Sequence, residues 1–567
     1  MGVPSLFRSI VKKYPECYFC VNQDITEHLY LDFNCLIHHC INKLVYKEDS
    51  SNRFIEEDLI SSVISYTSHI ICEVVKPTKL VYIAIDGPVP MGKIYQQRNR
   101  RYKKIQDDAF KKKLKQKYNI PVVNTFDSNK VTPGTVFMTK LCNRIKNLIS
   151  LNAFSLHIHN TNNKFCVFFS DSNTPGEGEH KIMNFIRNNN NSPNIIIYGL
   201  DADLIVLSML CTESKIKLIR EPQNTSTEIS DFAIDHEFVY ISIEAYTDSF
   251  IREYNLTAYD RKSIIKDVVF VSFFGGNDFV EPFVNTRIRD KNNYSKLINY
   301  YVTILFELQK HLINERSEIN IMFFEKLLEK IAENEDQFVK KKVYYSSGHK
   351  SSESEKEITY EQELELYYHA PYTSPTNPFY DYYKGKTDTI NYKLPHTSWK
   401  SQYYNHFCCS TILNDLCKEY IQSLIWTFRY YIDEGIPSWD FRFKARVAPC
   451  ASDVLKYVQS EKNSVFTCCK FESIRDKTII TPIEQLLMVT PIQNSCILPW
   501  SFQFIYEDFT AIRFQLDIMK GGKNIYSEPV LEDINREEID KLLRNVPVTE
   551  IESTRNVVKN KLFCMKF

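Results

Sequence analysis

The chain has 567 residues, beyond the size at which a single core stops growing, so one large lobed body or two to three domains is expected. Its 70 Lys and Arg balance 70 Asp and Glu, so net charge points neither to a nucleic-acid binder nor to an enzyme of acidic substrates, and electrostatic arguments must be regional. No apolar leader or membrane-length stretch is present, and the 16 cysteines are scattered around one isolated Cys17-x-x-Cys20; both facts favour a soluble intracellular protein with reduced thiols, cytoplasmic rather than nuclear.

From residue 1 to about 290, short β-rich runs alternate with helix-like segments, the pattern of an α/β fold with a mostly parallel sheet flanked by helices. Strands are predicted at 29–33 (LYLDF), 79–86 (KLVYIAID), 164–171 (KFCVFFSD), 194–201 (NIIIYGLD) and 267–278 (DVVFVSFFGGND). Each contains or ends in an acid: Asp32, Asp86, Asp171, Asp201 and Asp278. Directly after Asp86, residues 91–117 hold eleven Lys and Arg against two acids, and Lys93, Gln97, Arg100 and Arg101 fall at i, i+4, i+7 and i+8, one face of a helix. Glu177 and Glu179 follow the third strand, framed by Gly176 and Gly178, and Asp203 follows Asp201. From about 291 to 400 the pattern weakens: the helical "YYVTILFELQKHL" leads into the polar "SSGHKSSESEKEITYEQELEL" and an aromatic, Pro-bearing loop, which reads as a connector or insertion. Beyond 400, runs such as "STILNDLCKEYIQSLIWTFRYYI" open a second, helix-rich region. The expected organisation is therefore 1–290, 291–400 and 401–567, without an internal repeat.

In open α/β sheets the ligand crevice lies beyond the carboxyl ends of the strands, so acids from strands distant in sequence converge on one edge. A single strand-end Asp is more often a helix cap or a turn residue; repetition on successive strands reverses that reading. So many like charges in one cleft require raised pKa values or compensating cations. All-oxygen ligands select Mg²⁺, with Mn²⁺ as a substitute, and two such ions roughly 3.5–4 Å apart serve phosphodiester hydrolysis. The Glu177/Glu179 pair is expected to be a metal-ligand hairpin whose glycines let the backbone approach closely. The basic face beside the acids suits a terminal phosphate, the plain alternative being a solvated helix, while lysines 111–117 suit at most diffuse attraction to nucleic acid.

These residues resemble the Xrn family of 5′-to-3′ exoribonucleases, whose nuclease core is of the PIN/FEN-like kind. The stretches that carry the resemblance are "MGVPSLFR", "LYLDFNCLIHHC", "VYIAIDGPVPMGKIYQQRNRRYK", "NTFDSNKVTPGTVFM", "SDSNTPGEGEHKIMNFI", "IYGLDADLIVLSM", "LIREP" and "SFFGGNDFVEPF", in family order. Later come "GIPSWDFRFKARVAPCASD" and "PIEQLLMVTPIQNSCILP". The resemblance implies metal-binding acids at Asp32, Asp86, Glu177, Glu179, Asp201, Asp203 and Asp278, and a 5′-phosphate pocket at Lys93, Gln97, Arg100 and Arg101. It implies base stacking by His38 opposite Trp439 or Phe441, where the family has two tryptophans. The implied activity is processive hydrolysis of single-stranded RNA bearing a 5′-monophosphate, in RNA decay or processing, by a monomer without membrane contact. "RFKARVAP" departs from the family's aromatic, His-containing run, and "VEPF" lacks its usual His. The chain stops soon after the second region, the length expected of a minimal core. Two other readings stand beside this one: a structure-specific DNA flap nuclease, and a non-catalytic RNA-end-binding protein.

Overall fold

The structure, a computed structural model, describes residues 6–46, 52–152, 165–189, 193–211, 215–222, 236–288, 290, 292–338, 358–371, 396–408, 412–433, 435–462, 465–466, 479–504, 515–517 and 523–567. The opening "MGVPS", most of the polar run 346–366, the aromatic loop at 372–395, and Cys409, Cys468 and Cys469 lie outside the described residues.

Among the described residues, eight strands form one sheet: β1 (Tyr18–Phe19), β2 (His28–Asp32), β3 (Leu80–Ala84), β4 (Cys166–Ser170), β5 (Asn194–Tyr198), β6 (Lys215–Arg220), β7 (Val239–Ser242) and, after a small pair β8 (Gln515–Asp517) and β9 (Glu528–Val530), β10 (Phe563–Lys566). Their order is β1-β7-β6-β5-β2-β3-β4-β10. The five central strands β6, β5, β2, β3 and β4 are parallel, and the antiparallel pairs lie at the flanks. The chain runs outward from β2 to β3 and β4 on one side and returns to β5 and β6 on the other, so the order reverses beside β2, where a crevice opens at the carboxyl ends.

Alternation along each central strand feeds two cores. Leu29, Leu31, Val81, Ile83, Ile196 and Tyr198 face one, under helices Phe33–Lys43, Asn52–His69 and Val136–Ser150. Tyr30, Tyr82, Ile195 and Ile197 face the other, under helices Gly178–Asn188, Asp203–Met209 and Ile243–Glu253. Because both faces are covered, the strands read as continuous apolar runs, and each fully buried Leu, Ile or Phe contributes roughly 1.5–3 kcal/mol. The second core continues without a break into helices Arg261–Phe273, Asn293–Leu308, Ile321–Ala332, Leu413–Ile432 and Ala451–Glu461. No helix among the described residues is long and apolar enough to cross a membrane.

One predicted strand is a helix. Residues 267–273 complete the helix Arg261–Phe273, started by Asp260, whose side chain accepts from Ser263 N at 2.8 Å. Val268, Val269, Phe270, Val271 and Phe273 are all buried, so no polar stripe marks the helical period and the run imitates a buried strand. The structure instead supplies β1, β6, β7 and β10, which the apolar runs of the sequence did not mark out.

Candidate active site

Asp32 ends β2 and stands at the N-cap of helix Phe33–Lys43, buried, with the thiol of Cys35 donating to its Oδ2 at 2.9 Å. Asp86, just past β3, accepts from Asn34 Nδ2 at 2.8 Å and from Gly178 N at 2.7 Å. The loops after β3 and β4 are zipped together by Gly87 N to Gly176 O, 2.9 Å, and Gly176 N to Pro88 O, 2.8 Å, which sets Asp86 beside Glu177. A Cβ on Gly178 would stand 3.0 Å from both Asp32 Oδ1 and Ala84 O, so glycine is what admits the helix start between two acids. Glu177 and Glu179 are accordingly a helix start and not the expected hairpin: Glu177 is the N-cap and Glu179 lies in the first turn of Gly178–Asn188. The amide dipoles there favour negative charge, and Ile182, Met183 and Ile186 bury the opposite face. Asp201 follows β5, and Asp203 opens helix Asp203–Met209. Asp278 arrives from a turn after the helix Arg261–Phe273, where Gly276 takes φ +91°.

All seven predicted acids are brought together, each acting electrostatically on others of the set. Burial, then Asp86, raises the Asp32 carboxyl well above its usual range. Burial, then Asp203 and Glu177, does the same to Glu179, whose Oε2 is buried without a hydrogen-bond partner among the described residues. Asp203 is pushed up to about 7 by burial and then Asp278. Ligand atoms of Asp32, Cys35 and Asp201 lie within 4.8 Å of one another, as do those of Glu177, Glu179 and His180. Crowded carboxylates with an orphaned buried oxygen fit hard divalent cations, which would remove the repulsion and return these groups to their charged form.

One cation is built in. Lys93 pairs with Glu177 and, at 2.7 Å, with Asp278. Burial opposes the charge on Asp278, yet Lys93 outweighs it and holds that carboxyl below its usual range. The helix Met91–Lys117 thus places Lys93 among the acids, while Gln97 and Arg101 on the same face are buried and Arg100 is exposed. Arg101 donates from Nη2 to Thr132 Oγ1 at 2.6 Å, and its Nη1 meets no acceptor among the described residues. Burial, then Arg100, lowers its guanidinium to about 9. The rest of the helix is a spine rather than a free charged arm: Arg98 Nη1 donates to Glu532 O at 2.6 Å and Lys103 Nζ to Asn524 O at 2.7 Å.

His38 lies between this helix and the acids; burial, then Arg100, lowers it to about 4, so its ring is neutral at neutral pH. Trp439 is buried with Val89, Met91, Ile94 and Met488, its carbonyl accepting from Met91 N at 2.8 Å, and Phe441 packs on Trp426. Sequence reasoning missed Asn34, Cys35, His180, Tyr430 and Gln485. Tyr430 donates to Glu177 Oε1 at 2.9 Å, and Gln485 links the second region to Gln97 Oε1 at 3.2 Å and to Val89 N at 2.9 Å. Asn34 and Cys35 sit beside Asp32 in sequence and could have been suspected; Tyr430 hides in an aromatic run that reads as core. Asp171 stands apart from the site, paired with Lys146 at 2.5 Å and Lys559 at 2.7 Å.

Residues 1–222 match the family profile described as "XRN 5'-3' exonuclease N-terminus", and residues 258–377 and 380–563 match "Xrn1 helical domain". The chain is 29% identical over 572 residues to the Homo sapiens protein named 5'-3' exoribonuclease 1, covering 91% of this chain and 32% of that one. It is 26% identical over 671 residues to its Saccharomyces cerevisiae namesake, covering 94% and 42%, and 31% identical over 411 residues to the Kluyveromyces lactis 5'-3' exoribonuclease 2, covering 60% and 40%. The chain therefore spans less than half the length of these relatives.

Proposed function

We propose, from the premise that the chain belongs to the XRN 5′-3′ exonuclease family, that it is a processive 5′-to-3′ exoribonuclease of single-stranded RNA with a 5′-monophosphate. The observation that carries this reading is the meeting of the seven-acid cluster with a cationic helix face through Lys93, which touches both. The acids would hold Mg²⁺, or Mn²⁺ in its place, which when bound supplies a water nucleophile at neutral pH and shields charge on the scissile phosphate. Lys93, Gln97, Arg100 and Arg101 would receive the 5′-phosphate, and the unpaired Nη1 of Arg101 offers a charge-assisted donor for it. A 5′-hydroxyl would leave that donor unsatisfied, and a triphosphate is expected to be rejected by its added bulk. His38, neutral, would stack on the first base opposite Trp439 or Phe441, a contact indifferent to base identity. Each cleavage releases a 5′-mononucleotide and leaves a new 5′-phosphate, the group the pocket takes, so the strand is retained. An RNA substrate supports an intracellular site of action, and membership of lysines 111–117 in the helix Met91–Lys117 supports the cytoplasm over the nucleus as the reading.

The test is one 3′-labelled RNA carrying a 5′-monophosphate, a 5′-hydroxyl or a 5′-triphosphate, incubated with the protein in Mg²⁺. Loss of the monophosphate form alone, without intermediates, is expected. Equal cutting of all three would remove the pocket and favour a flap nuclease, and no cutting would favour an RNA-end-binding protein.

A further inference from the structure

The aromatic helix Leu413–Ile432 ends against the acid cluster, and Glu177 is held from two sides. Its Oε2 pairs with Lys93 of the basic helix, and its Oε1 accepts the phenol proton of Tyr430 at 2.9 Å, donor and acceptor both buried. The Tyr430 ring lies on the imidazole of His180, centroids 3.8 Å apart and planes 22° apart, with Trp426 at 5.1 Å and Phe279 at 5.4 Å around it. The phenol therefore cannot turn away without displacing three rings. Glu177 is also one of the three residues whose ligand atoms converge within 4.8 Å.

We propose that Tyr430 is a positioning residue that sets the Glu177 carboxylate for divalent-cation binding, so that the helical region helps to assemble the metal centre and does not merely wall the substrate path. The proposal rests on the exonuclease reading above. A neutral phenol is the donor such a carboxylate needs, because it fixes the rotamer and leaves the charge available, whereas a second lysine at Oε1 would discharge the carboxylate and compete with the cation. A phenol keeps its proton at neutral pH and so stays a donor there.

The experiment uses the full chain with Tyr430→Phe, which retains the ring stack and removes only the hydroxyl. Mn²⁺ binding in the absence of RNA, followed by electron paramagnetic resonance, is expected to weaken by about 10-fold, within the range for loss of an outer-shell partner. The Mg²⁺ concentration for half-maximal hydrolysis should rise by the same factor, with the rate recovering at saturating Mg²⁺ and the melting temperature in EDTA unchanged. In a Glu177→Gln background, Tyr430→Phe should change Mn²⁺ binding no further, an outcome that a general packing role would not give. Should Tyr430→Phe melt early, a single 3-fluorotyrosine at 430 keeps the hydroxyl, and its ¹⁹F resonance should move as Mg²⁺ is added. Unchanged Mn²⁺ affinity, or a resonance that stays fixed while Mg²⁺ binds, overturns the positioning role alone. A wild-type chain that binds no Mn²⁺ overturns the exonuclease reading and this proposal with it.

Discussion

At the end of β4, Asp171 is met by Lys146 and Lys559; burial works against its charge, yet the two ammonium groups hold the carboxyl down at about 2. Two strands away, at the end of β2, Asp32 is met by a thiol and by other acids, and burial with Asp86 drives its carboxyl up. Both are buried aspartates at the same edge of one sheet. The difference is countercharge: Asp171 is paired with two lysines and serves the fold, whereas Asp32 stands among acids, the setting expected of the cation ligand proposed above. The acid cluster repeats the contrast internally, with Asp278 held ionised by Lys93 and Asp203 pushed up to about 7.

The strongest way to upset this contrast is to exchange the two sites' treatment. Asp32→Asn should reduce hydrolysis of 5′-monophosphorylated RNA by more than the roughly 100-fold that loss of an outer-shell partner costs a metal site, while RNA binding persists and the metal-free protein melts no lower than wild type. Asp203→Ala should behave alike in turnover; near-full activity of either variant in Mg²⁺ would remove the assignment. Next, Arg101→Met should lower the rate preference for monophosphate over hydroxyl ends by about 10- to 100-fold, the worth of one charge-assisted contact. Unchanged discrimination would place the phosphate elsewhere.

Asp171→Asn should do the reverse of Asp32→Asn, lowering stability by about 2 kcal/mol with little change in turnover. Because Asp171 is depressed in the folded chain, its contribution is complete above the ordinary carboxylate range and is lost as pH falls toward about 2, so the variant's deficit should shrink in acid unfolding curves. The smallest expected effect concerns Asp203. Its raised carboxyl makes the metal-free fold less stable as pH climbs from the ordinary range through about 7, so Mg²⁺ should raise the melting temperature more at about pH 8 than at about pH 5. Equal shifts at both pH values would sink the claim that crowding, relieved by cations, governs this site.

The acids were legible because parallel strands bury both faces and stop abruptly, which makes apolar runs ending in Asp conspicuous: Asp32, Asp86 and Asp201 lie where that pattern put them. Asp278 was found for a partly mistaken reason, since its run is a helix buried on every side and periodicity is silent there. The Glu177/Glu179 pair was legible as chemistry but not as a helix start, because the glycines that suggested a hairpin serve to admit the helix end between Asp32 and Asp86. The basic face was legible from helical spacing, but its division into a buried Arg101, an exposed Arg100 and a Lys93 tied to the acids depends on tertiary neighbours. Tyr430 and Gln485 were beyond reach, because their partners lie about 250 and 390 residues away in the chain.

β10 pairs with β4, Phe563 opposite Phe169 and Lys566 opposite Cys166, so the outer edge of β4 finds its partner about 400 residues after it leaves the ribosome. At roughly 5–20 residues per second, that is a wait of about 20–80 s during which the strand's amides and carbonyls face solvent or a neighbouring nascent chain. The eight-stranded sheet is thus exposed to edge-to-edge misassociation throughout synthesis of the helical region, and slower growth at low temperature, or a chaperone that shields strand edges, should decide how much of the protein is recovered folded.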